Sequence, residues 1–145
     1  MATNQTDLHQ LADRLHSAAI HLLRRLRRED DASGLTAPRL SALSVVVFTG
    51  PISLGALARA EQVRPPTMTR IVAALERAGL VERTPGADRR VALIAATEAG
   101  ARLLEAGRQR RTSRLAEHLE TLSGGELGAL AVAAEAMERV SKASD

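Results

Sequence analysis

The chain has no cysteine, no tryptophan and no tyrosine, and Phe48 is its only aromatic residue. Without thiols there is no disulfide framework, no cysteine-ligated zinc site and no thiol redox switch. Without aromatics there is no stacking platform of the kind single-stranded nucleic-acid binders use, which argues against RNA or single-stranded DNA as a target. A core must then be built from Leu, Ala, Val and Ile. Long apolar runs are missing as well, because Asp7, His9, Asp13, Arg14 and Arg24 interrupt the first thirty residues. Neither a signal peptide nor a membrane span is expected, and a cytoplasmic protein with no membrane partner is. There is also no glycine-rich phosphate loop, no nucleophile elbow and no pair of carboxylates spaced to share a pocket. His9, His16, His21 and His118 lack the spacing that would put two ligands on one helical face. Neither an enzyme nor a metal- or cofactor-dependent protein is therefore expected.

What remains is ordinary in amount and informative in order. At 145 residues, 45% hydrophobic and 26% charged, the chain suits one folded domain with helical extensions. From Asp7 to Arg28, apolar residues recur every three or four positions, which predicts a long helix ended by the run Glu29 to Gly34. A second helix begins with Thr36 as N-cap and Pro38 in its first turn, and stops at Gly50-Pro51. Ile52 suggests a minimal strand, and Ser53 caps a short helix to Ala60. After a tight turn, Pro65-Pro66 opens another helix carrying Met68, Ile71, Val72 and Leu75, with Gly79 at its end. Short helix, turn and second helix make a helix-turn-helix layout. Two β-like runs, Leu80 to Thr84 and Val91 to Ala95, follow as a hairpin, or wing. Thr97 then caps a long helix through Leu122, and Ser123 to Glu126 reads as a capping box opening a last helix. Met68 and Met137 are placed facing the core as gap-fillers.

Charge follows this order. Between Ile52 and Thr97 seven arginines oppose four carboxylates, whereas the remainder balances thirteen of each, so the whole net charge of +3 sits in the winged segment. A polyanion partner favours that placement. The runs Arg24 to Arg28 and Arg108 to Arg114 read as solvated faces of long helices.

Residues Leu54-Gly55-Ala56-Leu57-Ala58, Pro66 to Glu76, Gly79 to Arg83, Asp88-Arg89-Arg90 and Thr97-Glu98-Ala99-Gly100 resemble the MarR family of bacterial regulators. The wing's Asp-x-Arg followed after a strand by Thr-Glu-x-Gly is the narrowest part of that pattern. The resemblance implies a mostly α fold with a small β-wing, an α+β winged helix-turn-helix whose N- and C-terminal helices form a dimerisation region. The expected division is a dimerisation helix at 1–35, a DNA-binding domain at 36–97 and C-terminal dimerisation helices at 98–145. Within it the recognition helix lies at about 65–78 and the wing at about 80–96. The resemblance further implies a homodimer that binds a pseudo-palindromic double-stranded operator as a transcriptional regulator, more often a repressor. Thiol oxidation, used by some members, is closed to this chain.

The expected DNA contacts are Arg64, Pro66, Thr67, Thr69 and Arg70 in the first turns of the recognition helix, with Arg89 and Arg90 in the wing. Asp88 is expected to orient an arginine, since a carboxylate facing phosphates would be repelled. A small-molecule effector would bind between the dimer helices and the winged domain, with His16, His21 and Arg39 as polar candidates. A helical interaction module that does not bind DNA is the competing reading, but it leaves the clustered positive charge and Arg90 without a role.

Overall fold

A computed structural model describes residues 5–142. The tips of the two expected dimerisation regions, 1–4 and 143–145, lie outside the described residues. Six helices and three strands run in the order α1 (Gln5–Leu26), a 3-10 segment (Arg27–Ser33), α2 (Ala37–Thr49), β1 (Ile52–Ser53), α3 (Leu54–Ala60), α4 (Pro65–Arg77), β2 (Val81–Pro85), β3 (Ala92–Ala96), α5 (Glu98–Leu119) and α6 (Gly124–Lys142). The fold is the mostly helical winged arrangement with a small antiparallel sheet. Strand order is β1-β3-β2, with Ile52 opposite Ile94 and Val81 opposite Ala96.

The terminators act as their chemistry requires. Ser53 Oγ accepts from the Ala56 N–H at 3.2 Å and starts α3. In the turn between α3 and α4, Gln62 takes a positive φ of 54°, and Gly79 beyond α4 takes 72°. Glycine is suited to that region and glutamine is not. At the start of α6, Ser123 and Glu126 form the reciprocal box, the Ser123 N–H donating to Glu126 Oε2 at 2.8 Å and the Glu126 N–H to Ser123 Oγ at 3.3 Å.

One core lies under the wing. Ala42, Leu43 and Val46 of α2, Leu57 and Ala58 of α3, Met68, Val72 and Leu75 of α4, and Leu80, Val81 and Ile94 around the strands form a single buried cluster. α2 thus belongs to the same packed unit as the helix-turn-helix. The motif Thr97 to Gly100 ties α5 to this unit. Thr97 Oγ1 donates to the Gly79 carbonyl at 2.6 Å and accepts from the Gly100 N–H at 3.1 Å. A Cβ at Gly100 would lie 2.2 Å from the Leu80 carbonyl oxygen, so only glycine lets the first turn of α5 come this close.

Several expectations are corrected. The first helix ends at Leu26, and the acidic run after it is a 3-10 segment that packs against α5 and is closed by Gly34 at φ 72°. The strands sit one residue later than expected, at 81–85 and 92–96, and α5 stops at Leu119. Met68 is fully buried as expected, but Met137 is 48% exposed, since α6 has no buried residue and packs extensively on no other described element. Within one chain α1 therefore touches α5, but α6 packs extensively on neither of them. The arginines of α5 are not simply solvated. Arg111 forms an ion pair with Asp30 at 2.5 Å, and Arg110 donates to the Glu29 carbonyl at 3.4 Å. No single helix among the described residues is long and apolar enough to cross a membrane.

Candidate nucleic-acid interface

α4 is amphipathic, and its two faces divide the labour. Met68, Val72 and Leu75 recur at four and three residues and point into the core. At 100° per residue, Pro66, Arg70, Ala73 and Arg77 fall on the opposite side, flanked by Thr67 and Thr69. Arg64, Pro66, Thr67, Thr69 and Arg70 are all exposed, so the described structure brings these five candidates onto one accessible edge. Arg77 extends that edge and was not singled out from the sequence. Its seven-residue spacing from Arg70 is the signal that could have identified it, because seven residues are two turns.

The start of α4 carries an unusual feature. Pro65 and Pro66 have no N–H, and the N–H groups of Thr67 and Met68 both donate to the Arg64 carbonyl, at 3.0 and 3.1 Å. A helix start normally offers unpaired N–H groups to an anion. Here those donors are absent or engaged, so any phosphate bond at this end must come from the side chains of Arg64, Thr67 and Arg70. Thr69 Oγ1 donates to the Pro65 carbonyl at 2.9 Å. With its one proton spent, that hydroxyl faces outward as an acceptor beside a methyl group.

The wing is held to α4 by Arg83, whose Nε donates to Glu76 Oε1 at 2.7 Å. Two of the seven arginines in the winged segment therefore differ in kind: Arg83 is neutralised structurally, while Arg70 has no carboxylate partner among the described residues. At the wing tip, Gly86 donates its N–H to the Val91 carbonyl at 3.1 Å, and Val91 donates to the Asp88 carbonyl at 3.0 Å. A Cβ on Gly86 would stand 2.6 Å from that Val91 oxygen, so the tight loop requires glycine. Asp88 Oδ1 accepts from the Arg90 backbone N–H at 3.0 Å. It thus positions the Arg90 main chain in an Asx turn, rather than gripping a guanidinium. Arg89 and Arg90 are both exposed at this tip.

The three effector candidates are not brought together. A cavity of about 530 Å³ lies between the 3-10 segment, α2 and α5, with Leu35, Leu40 and Leu104 as apolar wall and Arg27, Asp30 and Arg111 as polar groups. None of His16, His21 and Arg39 lines it. His21 borders a different cleft, and His16 is exposed on α1. Leu35 and Leu104 were not flagged from the sequence because the linker before α2 and helix α5, distant along the chain, supply them.

A family model described as MarR family matches residues 35–92. An HTH-type transcriptional regulator of Mycobacterium tuberculosis is 41% identical over 129 residues, covering 88% of this chain and 90% of its own length. A regulator of the same description from Mycobacterium leprae is 39% identical over 127 residues, covering 87% and 89%. Among solved structures, a MarR family protein from Bacillus stearothermophilus superposes with a TM-score of 0.74 at 27% identity, over 98% of this chain and 100% of that one. The multiple antibiotic-resistance repressor of Listeria monocytogenes shares the fold, with a TM-score of 0.81 at 18% identity, over 98% and 100%.

Proposed function

Since the chain belongs to the MarR family of transcriptional regulators, we propose that it binds a pseudo-palindromic duplex operator as a homodimer and represses transcription until a small molecule releases it. Its relatives are regulators, not enzymes. The observation that carries the DNA reading is the exposed edge of α4, from Arg64 to Arg70, standing beside a wing whose tip presents Arg89 and Arg90. In this reading α4 enters a major groove and Arg90 the flanking minor groove, where a narrow groove concentrates negative potential. Arg70 suits a guanine or a phosphate, and the Thr69 acceptor and methyl suit an adenine or cytosine amino group next to a thymine methyl. Acting on chromosomal DNA would place the protein in the cytoplasm.

The dimer reading rests on apolar side chains that one copy leaves uncovered. Leu8, Leu11, Leu15, Leu22 and Leu23 on α1, and Leu127, Leu130, Val132, Met137 and Val140 on α6, are all at least 40% exposed. Covering such half-exposed side chains contributes roughly 1 kcal/mol each, so a second copy gains on the order of 10 kcal/mol per chain before association costs of similar scale. This supports a division into terminal dimerisation regions at 1–35 and 98–145 around a DNA-binding unit at 36–97. Two recognition helices would then read half-sites about one turn, ~10 bp, apart.

Release is assigned to the cavity against α2 and α5. Its volume of about 530 Å³ is in the range that encloses small organic ligands, and its walls belong to both the terminal helices and the winged core. A ligand that parts those walls changes the separation of the two recognition helices, provided it binds the two arrangements unequally.

The test is a fluorescence-anisotropy titration of the protein against the DNA upstream of its own gene and against random duplex. Preference for the former at ~0.15 M salt, with a steep fall in affinity as salt rises, is expected. Equal affinity for both, or a flat salt dependence, removes the DNA reading.

A further inference from the structure

Most of the first arginine-rich stretch outside the winged core meets the end of the second, Arg114, in one place. His21, Arg24, Arg25 and Arg28 are spaced at i, i+3, i+4 and i+7, and they border a cleft of about 530 Å³ whose other wall is Arg114 and His118 of α5. We propose that this cleft is a binding site for a compact, multiply charged oxyanion, independent of the DNA-binding surface.

Charge is the first support. Four guanidinium groups border the cleft, and the only carboxylate among its lining residues is Glu29. That carboxylate is 3.9 Å from Arg114, which also holds Glu117 at 2.6 Å, so Arg114 is shared between two acids. Arg24, Arg25 and Arg28 have no carboxylate partner among the described residues. Like charges gathered on one wall repel one another, and an anion with more than one charge relieves several of these repulsions at once. Guanidinium groups supply paired N–H donors matched to the oxygens of phosphate or carboxylate.

The second support is independent of charge. His118 Nε2 is buried and has no hydrogen-bond partner among the described residues. A buried polar nitrogen without a partner is costly, and such atoms in folded proteins call for an explanation. An oxyanion in the cleft that His118 borders provides one once the imidazole ring turns to present that nitrogen to it. The cleft is separate from the cavity assigned to the effector, whose walls are Leu35, Leu40, Leu104 and their polar neighbours. Its cations come from two facing elements, an arrangement that suits a compact ion better than the long, continuous backbone of a duplex.

The test uses the full chain at constant ionic strength, with isothermal titration calorimetry of inorganic pyrophosphate, citrate and acetate. Saturable binding of pyrophosphate or citrate, far stronger than that of acetate, is expected, and the stronger of the two identifies a phosphoryl or a carboxylate ligand. The double substitution Arg24→Ala with Arg28→Ala is expected to weaken that binding at least about tenfold, and His118→Ala several-fold. Arg102→Ala, on an exposed arginine paired with Glu98 elsewhere on α5, is the charge control and is expected to leave binding unchanged. The proposal is overturned by absence of saturable binding, or by an equal loss in Arg102→Ala, which would mark diffuse charge attraction. It is equally overturned if the double variant becomes monomeric, making the cleft a subunit contact, or if it loses affinity for every duplex alike, making the cleft a DNA contact. Failure of the operator titration leaves this measurement unaffected, since no DNA is present in it.

Discussion

In the winged core Leu43, Leu57, Met68, Leu75 and Ile94 are fully buried, whereas on α6 Val132 and Val140 are 68% and 76% exposed. Both regions are helical and rich in Leu, Val and Ala. The difference lies in what each apolar stripe finds within its own chain. α2, α3 and α4 are joined by short turns and close on one another under the sheet, while α6 follows a 22-residue helix that carries it away from the core. Helix formation and burial are thus separate outcomes: α6 is capped and periodic, and still has nothing to bury itself against.

Leu57→Ala sets the scale for the core, since removing a fully buried leucine leaves a cavity that close-packed neighbours fill only in part. Unfolding in urea is expected to show a loss of about 3 kcal/mol, with a midpoint shifted at every protein concentration. The counterpart on α6, Val132→Asp, is expected to act through association: sedimentation should show more monomer, with the shift growing on dilution. If Val132→Asp destabilised the chain as Leu57→Ala does, independently of concentration, the contrast between the regions would be broken.

Gly100→Ala probes the joint between them. The added methyl meets the Leu80 carbonyl, and a loss of about 2 kcal/mol in denaturant unfolding is expected from that overpacking. A neutral result would mean that α5 sits further from the winged core than described. Arg90→Ala sharpens the comparison from the functional side, because it removes a charge from an exposed tip and no packing. DNA affinity is expected to fall about tenfold at ~0.15 M salt with the thermal midpoint and dimer intact. Unchanged affinity would take Arg90 out of the interface.

Smaller effects are expected where ion pairs and caps are solvated. Asp30 and Arg111 keep 24% and 34% of their side-chain surfaces exposed, so Asp30→Asn is expected to cost only about 0.5–1 kcal/mol. A double-mutant cycle with Arg111→Ala measures the pair itself. Last is Glu126, whose carboxyl is held below its ordinary value by the backbone N–H and then the hydroxyl of Ser123. An acid whose folded value is depressed stabilises the fold above its unfolded value, and that contribution disappears as pH falls through the folded one. An NMR titration of Glu126 is expected to show the depression in the native chain and its reduction in Ser123→Ala, where the hydroxyl is lost.

Much of this was legible in the residues. Ser53, Pro65-Pro66, Thr97 and Ser123-Glu126 mark helix starts by chemistry that is local to a few residues, and they were readable for that reason. The candidate DNA edge was readable too, because one helix presents it at a fixed period. Strand ends slipped by one residue, since hydrogen-bond register depends on the partner strand and not on composition. The arginines of α5 were misread because their partners, Glu29 and Asp30, lie 81 residues away from Arg110 and Arg111. The effector candidates missed the cavity for the same reason. Leu35 and Leu104 meet across a fold, and nothing along the chain relates them.

The sequence by itself therefore determined the order of elements, the amphipathic α4 and the concentration of positive charge on the winged segment, all of which depend on neighbours within two turns. Only the tertiary structure decided that Gly100 must be glycine, that Asp88 braces a backbone instead of a guanidinium, and that Arg24, Arg25 and Arg28 share one cleft with Arg114. The Asp88 turn is local but is one of several bonds that carboxylate could make. The other two are contacts between distant parts of the chain, and packing, which brings distant residues within a few ångströms, is a property that periodicity does not encode.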